Sequence, residues 1–239
     1  MSAKLHLFLI RHGESFNNAL GGTTTSYDDY FARRATDPDL TEKGRQQAEL
    51  LARHLAESDG PEGAIQRIYV SAMRRALLTA QPIAAALNAP VEVHLDIFEH
   101  GGLFSGNPRG EGTVGQPGLT RAEFAMHFPA YMLNDAVTEY GWYQGGHESL
   151  EECDMRALRV ADQLALWAED ADEVTIALVS HATFIDRLLK ALLGASGANS
   201  FHFSSQNTGM TRVDFLEENR RALRYTNRTI HLQPELITH

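Results

Sequence analysis

The sequence predicts an α/β protein with a mainly parallel central sheet flanked by helices on both faces. Three observations predict it. Short, almost wholly apolar runs of strand length alternate with longer segments of helical period. Several of those runs end on a reactive or charged residue immediately before a helix begins. The last two runs, in MTRVDFLEENRRALRYTN, alternate around a polar turn, as a hairpin at a sheet edge would. A chain of 239 residues can bury a large core, and it carries no internal repeat or dividing linker. It is therefore read as one domain over residues 1–239, with loop insertions around 19–39 and 101–145.

The elements follow in order. LHLFLI, residues 5–10, is a buried strand, apolar on both faces apart from His6 and too short for a membrane span or a signal core. Residues 17–39 are rich in Gly, Thr and Asp, which predicts a loop with one helical turn around 27–33. Thr41 is placed to cap a helix through GRQQAELLARHLAES, with Ala48, Leu51, Ala52 and Leu55 as its apolar stripe. AIQRIYVSA is a second strand leading to Ser71. The helix RALLTAQPIAAALN follows, and Pro82 is expected to bend it or to begin a fresh turn.

VEVHLDIF reads as a third strand ending at Glu99, and the Gly- and Pro-rich residues 101–118 read as a long loop. TRAEFAMHFPAY gives a short helix. SLEECDMRALRVADQLALWAED gives a long one, with Met155, Leu158, Ala161 and Leu164 or Ala165 in phase. EVTIALVSH is a further buried strand ending on His181, and FIDRLLKALLG is its helix, closed by Gly194.

Composition narrows the function. Hydrophobic residues at 43% and charged residues at 22% are ordinary for a soluble globular protein. A net charge of −10 argues against a nucleic-acid or anionic-membrane partner, while leaving room for a basic pocket. The single cysteine, Cys153, excludes an internal disulfide and a cysteine-based zinc cluster, and reads as a small hydrophobe on a helix. No targeting segment is visible, so the cytoplasm is the expected location; the oligomeric state is left open.

The chemistry collects where strands end. The first strand ends in Arg11-His12, the second in Ser71 just before Arg74-Arg75, the third in Glu99-His100 and the fourth in Ser180-His181. Parallel strands would bring all four ends to one rim, where open α/β sheets bind ligands. Arginines in a fork geometry suit a dianionic phosphoryl group. A histidine among them can act as nucleophile or acid/base, and a carboxyl group can donate a proton.

Five stretches in the right order resemble the histidine phosphatase superfamily, also called phosphoglycerate mutase-like. LIRHGES resembles the family's nucleophile signature, continued by Asn18, and LTEKGRQQA resembles its first helix. SAMRRALLTA resembles the pattern that assigns Arg75, not Arg74, to the pocket. FEHGG resembles the segment carrying the proton donor, and LVSHATFIDRLL the one carrying the second histidine. The resemblance implies a phosphomonoesterase acting on a small phosphorylated substrate, with His12 forming a phosphohistidine that water cleaves. It implies that Arg11, Asn18, Arg75 and His181 hold the phosphoryl oxygens and that Glu99 moves the proton. No metal or other cofactor is needed, because the fixed cations supply the positive charge.

Departures from the family pattern are Ala72 for the usual proline, Ala182 where a glycine often follows the second histidine, and the long interval between Asn18 and Leu40. Glu92, Asp96 and Glu111 compete with Glu99 for the acid role. His100, His147 and His202 read as surface or supporting groups, with His147-Glu148 bordering the pocket. Arg33, Arg34 and Arg109 sit in loops that could cover it. GEGTVG, residues 110–115, matches a dinucleotide-binding pattern in the wrong context, so a nicotinamide cofactor is rejected. The alternatives are a 2,3-bisphosphoglycerate-dependent phosphoglycerate mutase and a non-catalytic phospho-ligand binding protein. EHGGLFSGNPRG departs from the run that mutases carry after the proton donor, which favours hydrolysis.

Overall fold

The computed structural model describes residues 3–110 and 112–239. Strand β1 (Ala3–Arg11) is buried along nearly its whole length. Two short helices follow, α1 (Phe16–Gly21) capped by Ser15 and α2 (Tyr27–Arg33) capped by Ser26. The sequence reading found only the second. Leu20 is the one buried residue of α1, too little to print an apolar stripe. Helix α3 (Glu42–Ala56) starts where Thr41 Oγ1 accepts from the Gly44 N–H at 3.0 Å, and it buries the expected Ala48, Leu51, Ala52 and Leu55.

After β2 (Arg67–Ser71), α4 (Arg74–Leu87) runs unbroken through Pro82, so no fresh turn begins there. Strand β3 (Val91–His94) stops short of expectation. The Asp96 N–H turns back to His94 Nδ1 at 3.2 Å, and Glu99 lies beyond the strand in the following loop. The loop expected at 101–118 contains an antiparallel hairpin, β4 (Phe104–Asn107) and β5 (Gly112–Gly115). Its strands are short and glycine-rich, which hides their alternation. The GEGTVG match falls in this hairpin and not at a strand-to-helix turn; Glu111 lies outside the described residues.

Helices α5 (Arg121–His127) and α6 (Leu150–Asp170) come next, each begun by a capping box, at Thr120 and Ser149. In α6 the buried face is Cys153, Arg156, Ala157, Val160, Ala161, Leu164 and Ala168, whereas Met155 is 54% exposed. The expected stripe was wrong at Met155 because an arginine occupies the core-facing position beside it. The chain closes with β6 (Val174–Ser180), α7 (Ala182–Leu192) and the hairpin β7 (Met210–Leu216) and β8 (Arg221–Arg228).

The six-stranded sheet has the order β3-β2-β6-β1-β7-β8. Its first four strands are parallel, and β7 and β8 are antiparallel. Phe8 and Ile10 of β1 join the core under α3 and α4, while Leu5, Leu7 and Leu9 join the core under α6 and α7. Covering both faces explains why β1 is a continuous apolar run. Burying each such side chain contributes about 1.5–3 kcal/mol relative to leaving it exposed. Among the described residues no helix is long and apolar enough to cross a membrane.

The loop after β1 lies directly on the first turn of α3. The Thr41 N–H donates to Glu14 O at 2.9 Å, and the Glu14 N–H donates to Gln47 Oε1 at 2.7 Å. A Cβ at Gly44 would overlap Glu14 O and Glu14 N, both backbone atoms that cannot swing aside. Gly44→Ala should therefore cost about 1–3 kcal/mol of stability, read as a lower urea midpoint at unchanged slope. An unchanged midpoint would show that the two segments can part without cost.

Candidate active site

The parallel register brings β1 and β6 to a common end, where Arg11 pairs with Ser180 and the His12 N–H donates to Ser180 O at 2.9 Å. His12 Nδ1 lies 2.7 Å from Gly13 O. A carbonyl only accepts, so Nδ1 carries the ring proton and Nε2 keeps its lone pair. The Arg75 Nε–H donates to Nε2 at 3.1 Å. Burial, followed by the charges of Arg75 and Arg11, holds the His12 pKa well below its ordinary value, against the opposing bond to Gly13. The ring is a neutral, buried base beside two guanidinium groups.

Arg75 comes from the first turn of α4 and Arg11 from the end of β1. Both are buried, and burial lowers both pKa values, that of Arg11 to about 10. Arg11 Nη1 donates to Ser205 O at 2.5 Å, while its Nε has no partner. Arg75 Nη1 stands 3.9 Å from Asp37 Oδ1. Asp37, missed in the sequence, also accepts from the Arg74 N–H at 3.1 Å, and burial pushes its pKa up to about 6 despite Arg75. Arg74 itself turns outward to Asp39 at 2.7 Å, in keeping with the choice of Arg75.

His181 caps α7 and has no exposed surface. Its ring centroid is 5.1 Å from that of His12, its Nε2 is 2.8 Å from Ser71 Oγ, and its Nδ1 is unpartnered. Burial, then Arg75 and His12, keep its pKa well below the ordinary value. Asn18 Oδ1 accepts from the Ser15 N–H at 3.0 Å and the Ser15 hydroxyl at 2.8 Å, which leaves the amide NH₂ for other acceptors. The Glu99 carboxylate accepts from the His100 N–H at 2.8 Å and from Phe184 and Thr183 N–H at 3.1 and 3.4 Å, at the start of α7.

Arg11, His12, Asn18, Arg75 and Glu99 line one cavity of about 270 Å³. His181 is not on its wall and meets it through His12. Of the competing carboxylates, Glu92 pairs with Arg67 at 3.0 Å and Asp96 is exposed. His100 and His147 line the cavity and His202 does not. Arg34 lines it, whereas Arg33 pairs with Asp29 at 3.2 Å and Arg109 stacks on Tyr27 at 3.9 Å. Among the described residues no group of three or more His, Cys, Asp or Glu side chains could hold a metal ion.

Supporting groups came from residues that sequence patterns gave no reason to single out. Arg156 grips Glu148 at 2.7 and 2.6 Å and donates to Asp96 O and Phe98 O at 2.8 and 3.0 Å, fixing the loop that carries Glu99. Asn207 Nδ2 donates to His12 O at 2.9 Å, and the Thr208 N–H donates to Arg11 O at 3.0 Å. Behind them Thr238 Oγ1 meets Asn207 Oδ1 at 3.0 Å and accepts from Gln47 Nε2 at 2.8 Å. Cys153 is buried as a small apolar residue would be, and burial pushes its thiol up to about 12.

The family model of the histidine phosphatase superfamily (branch 1) matches residues 7–228. Phosphoserine phosphatase 1 of Hydrogenobacter thermophilus is 29% identical over 230 residues, covering 95% of this chain and 93% of that protein. The 2,3-bisphosphoglycerate-dependent phosphoglycerate mutase of Thermoplasma acidophilum is 28% identical over 207 residues, covering 86% and 85%. Among solved structures, a mutant phosphoserine phosphatase from Entamoeba histolytica in complex with phosphoserine aligns with a TM-score of 0.61 at 25% identity, covering 96% of this chain and 100% of that one. The chain belongs to the histidine phosphatase superfamily (branch 1) and is a hydrolase of the phosphatase type.

Proposed function

We propose that the chain hydrolyses a small phosphomonoester through a phosphohistidine on His12. The observation that carries this reading is the state of His12: its proton is committed to Gly13 O, and its Nε2 lone pair sits under the Arg75 guanidinium in a buried, cationic cavity. Nε2 attacks phosphorus in line, and the phosphoryl group passes from the leaving oxygen to nitrogen. Arg11, Arg75 and the Asn18 NH₂ group neutralise its equatorial oxygens. Ser71 Oγ accepts from the Met73 N–H at 3.3 Å and lies 2.8 Å from His181 Nε2, which fixes the orientation of the His181 ring. His181 stands behind His12, off the cavity wall, and supports it from there.

Glu99 gives its proton to the leaving alcohol and then takes one from the water that releases phosphate. Phosphoserine phosphatase activity in the two relatives so named supports a small phosphorylated substrate. The Thermoplasma mutase favours a second reading, in which the phosphoryl group returns to bound substrate. The two differ only in the acceptor.

Rapid quench with labelled substrate should give acid-labile, base-stable label on the peptide containing His12. That label should chase into free phosphate in the presence of phosphoglycerate. Label surviving in His12→Ala would remove the nucleophile assignment, and chase into phosphoglycerate would establish the mutase reading.

A lowered base pKa means that the imidazole stays neutral below its ordinary titration range. The His12 contribution to kcat/KM should therefore persist as pH falls through 6.5. Rates should first be divided by the dianion fraction of the substrate, whose second pKa is about 6. A remaining fall centred near 6.5 would mean that His12 titrates as a free imidazole.

Glu99→Gln should slow hydrolysis of alkyl phosphates by about 10²–10⁴-fold, the usual contribution of a general acid. p-Nitrophenyl phosphate, whose leaving group needs little protonation, should lose far less. Equal losses for the two esters would move the acid role to another group.

A further inference from the structure

We propose that Arg34 selects the substrate by binding a carboxylate carried on the leaving group of the phosphomonoester. The proposal rests on the hydrolytic reading of the same cavity. Arg34 follows α2 directly and lines the cavity on the side of the β4–β5 hairpin. Its guanidinium lies 4.4 Å from the Phe104 ring centroid and 5.4 Å from that of Phe31. Nη1 donates to Phe104 O at 3.2 Å. Among the described residues no carboxylate lies within ion-pair distance of Arg34, although Arg33 beside it has Asp29 at 3.2 Å.

An arginine stacked by its face is fixed in its plane, and its N–H edges remain for acceptors in that plane. The Phe104 carbonyl takes up one of five donors and the Tyr30 hydroxyl is a second partner, which leaves further N–H groups for an anion. Burial lowers the Arg34 pKa and Arg75 adds to this, against the opposing pull of Tyr30, and no carboxylate among the described residues pairs with it. A carboxylate meets such a fork with two parallel bonds.

Arg34 lines the same cavity as Arg75, whose charge reaches it, but is hydrogen-bonded to the β4–β5 hairpin and not to His12. The cavity of about 270 Å³ has room for a phosphoryl group and a small leaving group, and Arg34 and His12 line it together.

The test compares phosphoglycolate with ethyl phosphate, which differ in the carboxylate, on the wild type, Arg34→Gln and Arg34→Lys. Arg34→Gln should lower kcat/KM for phosphoglycolate about 10- to 100-fold, the range for a charged hydrogen bond, and leave ethyl phosphate within about twofold. Arg34→Lys should recover part of the loss. Equal losses on both esters would make Arg34 only a brace between α2 and the hairpin, and no loss on either would remove it from the site. A two-carbon bisphosphate that depends on Arg34 more than phosphoglycolate does would reassign the subsite to a second phosphate. If the wild type hydrolyses neither ester, the hydrolytic reading fails on its own. Calorimetric binding of the same two esters to His12→Ala, with and without Arg34→Gln, then decides the subsite: an Arg34-dependent preference for phosphoglycolate upholds it, and equal affinities overturn it.

Discussion

Two like charges buried together set the terms for the rest of this structure. Arg11 and Arg75 are both out of water, they repel each other, and both act on the same imidazole. An unpaired buried charge costs several kcal/mol even after relaxation. The nearest carboxylate on Arg75 stands off at 3.9 Å, and Asp37 is itself so desolvated that its pKa rises to about 6. In the proposed reaction a phosphoryl dianion would offset this excess of positive charge, and repulsion built in before substrate arrives would favour the charge in transit.

Holding repelling groups in place demands a stiff frame. The backbone supplies part of it through the shared end of β1 and β6, and α4 supplies more, since Thr79 Oγ1 accepts from the Gly13 N–H at 3.0 Å. The Glu99 loop has no strand to rest on and relies on Arg156, whose guanidinium lies 3.6 Å from the Phe98 ring centroid and 4.5 Å from that of Phe184. A third buried arginine thus serves the site from outside the cavity. Unlike Arg75, it has a bidentate carboxylate partner in Glu148. The contrast is one of partners: Arg156 is held in a bidentate pair and fixes a loop, whereas Arg75 has its carboxylate only at 3.9 Å and keeps its guanidinium toward the cavity.

Most of the fold was legible because burial writes period into sequence. β1 and β6 are continuous apolar runs, α3 shows its stripe, and the polar turn announces the β7–β8 hairpin. The reactive groups were legible because each stands at a strand end or helix start, Glu99 excepted. What stayed hidden has little period to show. The β4–β5 hairpin has strands of four residues, three of the eight glycine and one buried, and α1 buries one residue. Arg156 broke the apolar stripe of α6 and displaced it onto Met155. Asp37, Asn207 and Gln47 act through contacts distant in sequence, which no local pattern encodes. The three loop arginines looked alike in sequence; their different neighbours, Asp29, the Phe104 ring and Tyr27, separated them.

The brace behind the nucleophile has a consequence for how the site comes into being. His12 is held by Asn207, and Asn207 by Thr238, so the first functional residue made is secured by some of the last. At about 5–20 residues per second of synthesis, those partners emerge roughly 10–45 s after His12. β1 itself lacks both sheet neighbours until β6 and then β7 have been made. The two arginines would repel with nothing yet to restrain them, and an open, hydrated loop can hold them apart at little cost. Assembly of the charged pocket is thereby deferred until Asn207 and Thr238 have joined the fold.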